Sequence, residues 1–182
     1  MARTDDEEFA TFARASAPGL RRTAYLMCGD WDRAADITQE ALIRVYVAWP
    51  RLDRGHGRHA YARRAAVNVA IDQVRKRSTS ERPTVELVDA PVPDVSSQVL
   101  DRALLLTALA ELPARQRACV VLRYYEDLSV ETVARTLGCR PGTVKSQTAR
   151  GLEALRAAYA RHGGELRTPA PDVPAQAQEV LP

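Results

Sequence analysis

The sequence predicts an all-α protein built from two small helical units joined by a flexible linker. Three observations lead there. Apolar residues recur at spacings of three and four along most of the chain. No segment alternates with period two, and helical patterning lapses between about Ser78 and Ser97. At 182 residues, the chain has room for one ordinary domain or two small ones. Apolar residues make up 46% and charged residues 27%, which suits a folded soluble class. Aromatics are only 5%, so the core has to rest on Ala, Leu and Val.

The first helix is expected over Glu7 to Met27, broken or bent near Pro18-Gly19. Gly29-Asp30 ends it, and Asp32 is read as the cap of the next. From Arg33 to Trp49 the stripe Ala34, Ile37, Ala41, Val45 and Ala48 has helical spacing, widened by Leu42 and Trp49. Pro50 stops that helix and Gly55 to Gly57 form a loop. A third helix is expected from about His59 to Arg77, with Val67, Ile71 and Val74 facing inward. Pro83, Pro91 and Pro93 then fall among Ser, Thr and carboxylates, the composition of a linker. Helices resume over Leu100 to Leu112, from Pro113 to about Tyr125, from Ser129 to Leu137 and from about Gly142 to Arg161. After Gly163-Gly164 four prolines fall within the last fourteen residues, which reads as a disordered tail.

Several function classes drop out. No apolar run approaches the ~18–20 residues needed to span a bilayer. The opening Asp5-Asp6-Glu7-Glu8 has the wrong sign for a signal peptide, so a cytoplasmic location is expected. Cys28, Cys119 and Cys139 are far apart and lack metal-ligand spacing, and His56 and His59 have no ligand cluster beside them. No metal or cofactor is expected. No nucleophile–base pair, phosphate-cradling Gly loop or carboxylate dyad appears, so no catalytic residue is assigned and the chain reads as a non-enzyme.

Charge is distributed in blocks. Residues 58–77 hold six basic side chains against Asp72, a net +5; residues 129–161 hold six against Glu131 and Glu153, a net +4. Between them, residues 81–101 carry five carboxylates against Arg82, a net −4. Two basic blocks around an acidic spacer suit two places where a polyanion is held.

Ser129 to Ser146 reads as a helix-turn-helix. Its first helix buries Val133 and Leu137, Gly138 supplies the left-handed turn position, and Pro141-Gly142 start a second helix. That helix presents Thr143, Lys145, Ser146 and Gln147 while Val144 packs inward. A helix offered this way can enter a major groove, with its first residues near base edges.

Leu112-Pro-Ala-Arg-Gln-Arg, Leu122-Arg-Tyr-Tyr-Glu-Asp-Leu-Ser, Leu137-Gly-Cys-Arg-Pro-Gly-Thr-Val-Lys-Ser and Arg150-Gly-Leu together resemble region 4 of bacterial RNA polymerase sigma factors. Ala35-Asp-Ile-Thr-Gln-Glu-Ala-Leu-Ile-Arg-Val-Tyr resembles their region 2.2. Both motifs, in that order and joined by a short linker, are similar to the extracytoplasmic-function (ECF) group. Leu20-Arg-Arg-Thr-Ala-Tyr-Leu and Ala60-Tyr-Ala-Arg-Arg resemble its actinobacterial SigE-like subfamily. The resemblance implies a sigma-2-like domain over residues 1–78, a linker over 79–97, a sigma-4-like helix-turn-helix domain over 98–162 and a tail over 163–182.

It also implies partners and sites. Asp36, Gln39 and Glu40 lie on one helical face opposite the apolar stripe, where the family binds the β′ clamp helices of core RNA polymerase. The β flap of the polymerase, promoter DNA and an anti-sigma factor are the other implied partners, and the implied setting is the bacterial nucleoid. The third helix matches regions 2.3 and 2.4, which capture the melted −10 element. Asn68 matches the family's Asn position, and Tyr61, Arg63, Arg64, Arg75, Lys76 and Arg77 complete the −10 set. Many members carry further aromatics here, whereas this chain has Tyr61 alone. For the −35 duplex the set is Arg140, Thr143, Lys145, Ser146, Gln147 and Arg150, with Gln147 standing where many members carry Arg. A plain DNA-binding regulator, which has no need of a melted-strand site, and a module that sequesters a partner through the acidic helix face are the competing readings.

Overall fold

The structure, a computed structural model, describes residues 2–52, 56–80 and 97–164. The expected linker and tail fall almost wholly outside these residues. Among the described residues there are seven α-helices and no strand. They are α1 (Ala2–Cys28), α2 (Trp31–Ala48), α3 (His56–Ser80), α4 (Ser97–Glu111), α5 (Ala114–Val120), α6 (Val130–Leu137) and α7 (Pro141–Arg161). A 3-10 turn over Trp49–Arg51 follows α2, and a π turn over Val121–Tyr125 extends α5. No helix among the described residues is long and apolar enough to cross a membrane.

Three local expectations are corrected. The first helix is continuous through Pro18 rather than broken there; proline costs it a single backbone bond, which packing of α1 on α2 and α3 outweighs. The cap of α2 is Asp30, not Asp32. The Asp30 carboxylate accepts from the backbone N–H groups of Asp32 and Arg33, at 2.8 and 2.9 Å, and Asp32 occupies the first turn. The third helix is longer than expected at both ends: it starts at His56, so Gly57 belongs to the helix and not to the expected Gly55–Gly57 loop, and it runs on to Ser80.

The helices α1, α2 and α3 pack on one another as the N-terminal unit. One aromatic group sits around Trp49. Phe9 and Phe12 lie against the buried Trp49, ring centroids 5.3 and 5.2 Å away, and the Arg58 guanidinium covers the same indole at 3.7 Å. Arg58 also pairs with Glu8 at 3.3 Å. Deeper in, Ala24, Met27, Ala34 and Ile37 are all but fully buried.

The C-terminal unit winds α4, α5 and α6 around α7. Gly151 makes the α5–α7 approach possible: a Cβ there would lie 2.8 Å from Val120 Cγ2 and 3.2 Å from the Gln116 carbonyl oxygen. At the far end of α7, Glu111 of α4 takes both Arg161 and His162. The hydrogen bond from His162 is the main reason that the Glu111 carboxyl sits below its ordinary range.

The two units are not separate. Val67, Val69, Ala70 and Ile71 of α3 share a buried cluster with Ala118, Leu122 and Val133 of the C-terminal unit. Arg117, only 5% exposed, reaches across the seam. Its guanidinium donates to the carbonyls of Ala110 and Leu112 at the end of α4 and to that of Met27 at the end of α1. The cation thus meets the negative ends of two helix dipoles. Desolvation pulls its pKa down to about 10, still far above neutrality. Arg117→Met would leave these carbonyls without a donor, while relieving the burial of a charge. The expected net loss is about 2 kcal/mol, read as a lower urea midpoint at unchanged slope.

Candidate nucleic-acid interface

The helix-turn-helix forms as the turn chemistry requires. Ser129 Oγ accepts from the Thr132 N–H at 3.2 Å and caps α6. Gly138 closes α6 in the left-handed region, φ +61°, and the Gly138 and Cys139 N–H groups both return to the Ala134 carbonyl. Arg140, extended at φ −77° and ψ 147°, leads into α7, and Pro141 takes the first helical position, where no N–H is needed. Val133 and Val144, both 0% exposed, lock α6 and α7 face to face.

That packing decides what α7 offers. Arg140, Thr143, Lys145, Ser146 and Arg150 are exposed and Gln147 is half-buried, with Lys145 on a different flank of the helix from Thr143, Gln147 and Arg150. The Ser146 hydroxyl donates back to the Thr143 carbonyl at 3.0 Å, which orients it along the helix. Glu131, on α6, is held below its usual carboxylate range chiefly by its own backbone N–H and the Ser129 hydroxyl, and more weakly by the Lys145 charge.

The second basic block lies on α3. Tyr61, Arg64, Arg75 and Lys76 are exposed and Asn68 is half-buried, a polar strip along a helix otherwise covered on both sides. Arg63 points elsewhere: its Nε donates to Glu126 Oε2 at 3.0 Å, in the C-terminal unit. The Arg77 side chain lies outside the described residues.

The third surface is on α2. Asp36 and Gln39 are exposed, and half-buried Glu40 pairs with Arg44 at 2.6 Å. An exposed pair of this kind contributes only a few tenths of a kcal/mol and leaves the face open to a partner. Beside it the sequence reading missed an apolar groove of about 840 Å³ between α1 and α2, lined by Pro18, Trp31, Gln39, Leu42, Ile43 and Tyr46. Trp31 is pinned at its rim, stacked on Tyr25 at 4.0 Å with Arg21 5.4 Å from its ring. The missed signal was the off-stripe apolar pair Ile43 and Tyr46, which are 57 and 50% exposed.

No group of three or more metal-ligating side chains occurs among the described residues. All three cysteines are free, and burial pushes the Cys119 thiol up to about 11, away from thiolate chemistry.

Two family models match the chain: Sigma-70 region 2 over residues 12–79 and Sigma-70, region 4 over residues 102–155. The chain is 38% identical over 149 residues to the RNA polymerase sigma-E factor of Streptomyces coelicolor, spanning 82% of this chain and 84% of that one. It is 34% identical over 159 residues to the ECF RNA polymerase sigma factor SigE of Mycolicibacterium smegmatis, 84% of this chain and 62% of that one. Among solved structures, the sigma factor RpoE in complex with the anti-sigma factor NepR, from Bartonella quintana, aligns with a TM-score of 0.66. It covers 85% of this chain and 98% of its own at 24% identity, a likeness of fold.

The turn glycine yields a test. Gly138→Val places a β-branched side chain at φ +61°, at a cost of about 1–2 kcal/mol or more. Calorimetry should show a lower Tm, and duplex binding should fall at temperatures where the protein is still folded, because α7 is tilted off its seat.

Proposed function

The chain belongs to the sigma-70 family of bacterial RNA polymerase sigma factors, in its ECF group, and on that premise we propose which residues perform each part of its work. A sigma factor is not an enzyme: it binds core polymerase and directs it to promoters, and the polymerase does the chemistry. Sigma factors act in the bacterial cytoplasm, and we place this one on the nucleoid, where its promoters are. The working division is a region 2 domain over residues 1–78, a linker over 79–97, a region 4 domain over 98–162 and a tail over 163–182.

The carrying observation is that the two basic surfaces differ in kind. The α7 surface is a convex helical face with exposed cations, suited to a duplex groove and its phosphates. We assign to it the −35 element, with Lys145, Arg150 and Arg140 at phosphates or base edges and Thr143, Ser146 and Gln147 as polar readers. The α3 strip carries a half-buried amide, Asn68, between Tyr61 and a basic end. A planar ring and a recessed hydrogen-bonding group suit an unpaired base, which the duplex does not offer. We assign to it the melted −10 strand, with Asn68 reading the base, Tyr61 stacking, and Arg63, Arg64, Arg75, Lys76 and Arg77 holding the backbone. Core polymerase docks on Asp36, Gln39 and Glu40. The adjoining groove supplies apolar area to this contact, and the acidic edge supplies orientation and speed of encounter.

Two experiments separate these roles. Asp36→Arg combined with Glu40→Arg should lower core affinity at least tenfold without loss of helicity by circular dichroism; normal core binding would remove the docking assignment. Lys145→Ala should weaken binding to a −35 duplex and reduce the slope of log K against log salt by about one. Asn68→Ala should leave duplex binding intact and slow open-complex formation, with recovery on a template already unpaired at −10. The reverse pattern would mean that the two surfaces are assigned to the wrong DNA.

A further inference from the structure

The groove between α1 and α2 is about 840 Å³, and its walls of Pro18, Leu42, Ile43 and Tyr46 are largely apolar. Its lip is cationic. Arg21 and Arg22 are both exposed, and Arg21 donates to the Trp31 carbonyl at 3.2 Å. Such a surface suits the apolar ridge of an acidic segment. The sequence beyond the described residues is patterned for one. Val173, Ala177, Val180 and Leu181 fall at i, i+4, i+7 and i+8, a single helical stripe. Asp172 stands in the N-cap place with Pro174 in the first turn, and Ala175, Gln178 and Glu179 fall opposite the stripe. Residues 172–181 hold Asp172 and Glu179 and no basic residue, a charge opposite to that of the lip. A helix of about ten residues is marginal alone in water, so this one forms where a groove covers its stripe.

The segment starts close to the groove. Leu155 of α7 and Leu26 of α1 pack against the same buried residues, Leu109, Leu112 and Val120. At the end of α7, His162 is joined to Glu111, and the neighbouring Ala110 carbonyl shares the Arg117 guanidinium with the Met27 carbonyl of α1. The end of α7 therefore lies beside the end of α1, just before Trp31 at the groove rim. From there residues 165–171 can extend about 24 Å, more than twice the roughly 8–10 Å between packed helices. We infer that residues 172–181 dock in the α1–α2 groove as a short amphipathic helix, with the stripe against Leu42, Ile43 and Tyr46. Docked there, the segment covers the face assigned to core polymerase. The apparent affinity for core then falls by the fraction of molecules in which the groove is free. That consequence rests on the core-docking reading above; occupation of the groove does not.

Trp31 reports on the groove in the full chain without any partner: it is 40% exposed at the rim, whereas the other tryptophan, Trp49, is buried. Acrylamide should quench the wild type less than the double variant Val180→Asp with Leu181→Asp, which puts two carboxylates on the stripe. Equal quenching of the two proteins overturns occupation of the groove. Ala175→Asp with Gln178→Asp makes the same charge change opposite the stripe and should keep the wild-type quenching; an equal rise overturns docking through the stripe. Protection should be independent of protein concentration. Protection that grows with concentration places the segment of a second copy in the groove and overturns internal docking. A second arm measures core polymerase binding, where Val180→Asp with Leu181→Asp should bind roughly three- to tenfold tighter than the wild type. If quenching reports an occupied groove while core affinity is unchanged, the assignment of core to this face fails and docking of the segment stands.

Discussion

The constraint on which the rest of the molecule depends is that α3 is a wall of two cores. Ala62, Ala65 and Ala66 face the N-terminal unit, and Val67, Val69, Ala70 and Ile71 are drawn into the cluster shared with α5 and α6. Helices normally bury one stripe and leave the rest to water. Here the covered arc is so wide that only a strip through Tyr61, Arg64, Asn68 and Arg75 remains. The same packing that stabilises both units therefore selects which polar residues of α3 stay accessible.

Much of this was legible in the residues, for identifiable reasons. Ser129, Gly138 and Pro141 act locally, through a cap, a left-handed turn and a missing N–H, so the helix-turn-helix could be drawn from composition at fixed offsets. The Ile37–Ala41–Val45 stripe likewise settles how α2 faces, and with it the exposure of Asp36 and Gln39. The cap of α2 was misplaced by two positions because two aspartates compete there, and only geometry distinguishes Asp30 from Asp32. A break at Pro18 was one of the two readings offered by the sequence, and it fails because the packing of α1 on α2 and α3 outweighs the loss of one backbone bond.

What could not be read is everything that depends on pairing across a long separation. Thr23 and Glu126 lie 103 positions apart, and Met27 and Arg117 90. No periodicity links such residues. Arg117 and Glu126 sit inside region 4 motifs, where an arginine or a glutamate reads as one more surface charge; only burial and partner identity give them structural work. The groove beside α2 was missed for a related reason. Ile43 and Tyr46 are single departures from a clean stripe, and become a surface only when α1 supplies the facing wall.

Gly151 has a consequence for geometry rather than stability. With no side chain between them, α5 and α7 touch backbone to side chain, so the ridge of one is keyed into a notch in the other. A notch one residue wide sets the phase of a helix. Slipping α7 by one position would turn every side chain on it by ~100°, carrying Lys145 into the buried place of Val144 or the exposed place of Ser146. The neighbour of Arg150 in sequence is thus the index mark against which the outward face of α7 is set, and the orientation of its cations is a matter of a missing methyl group.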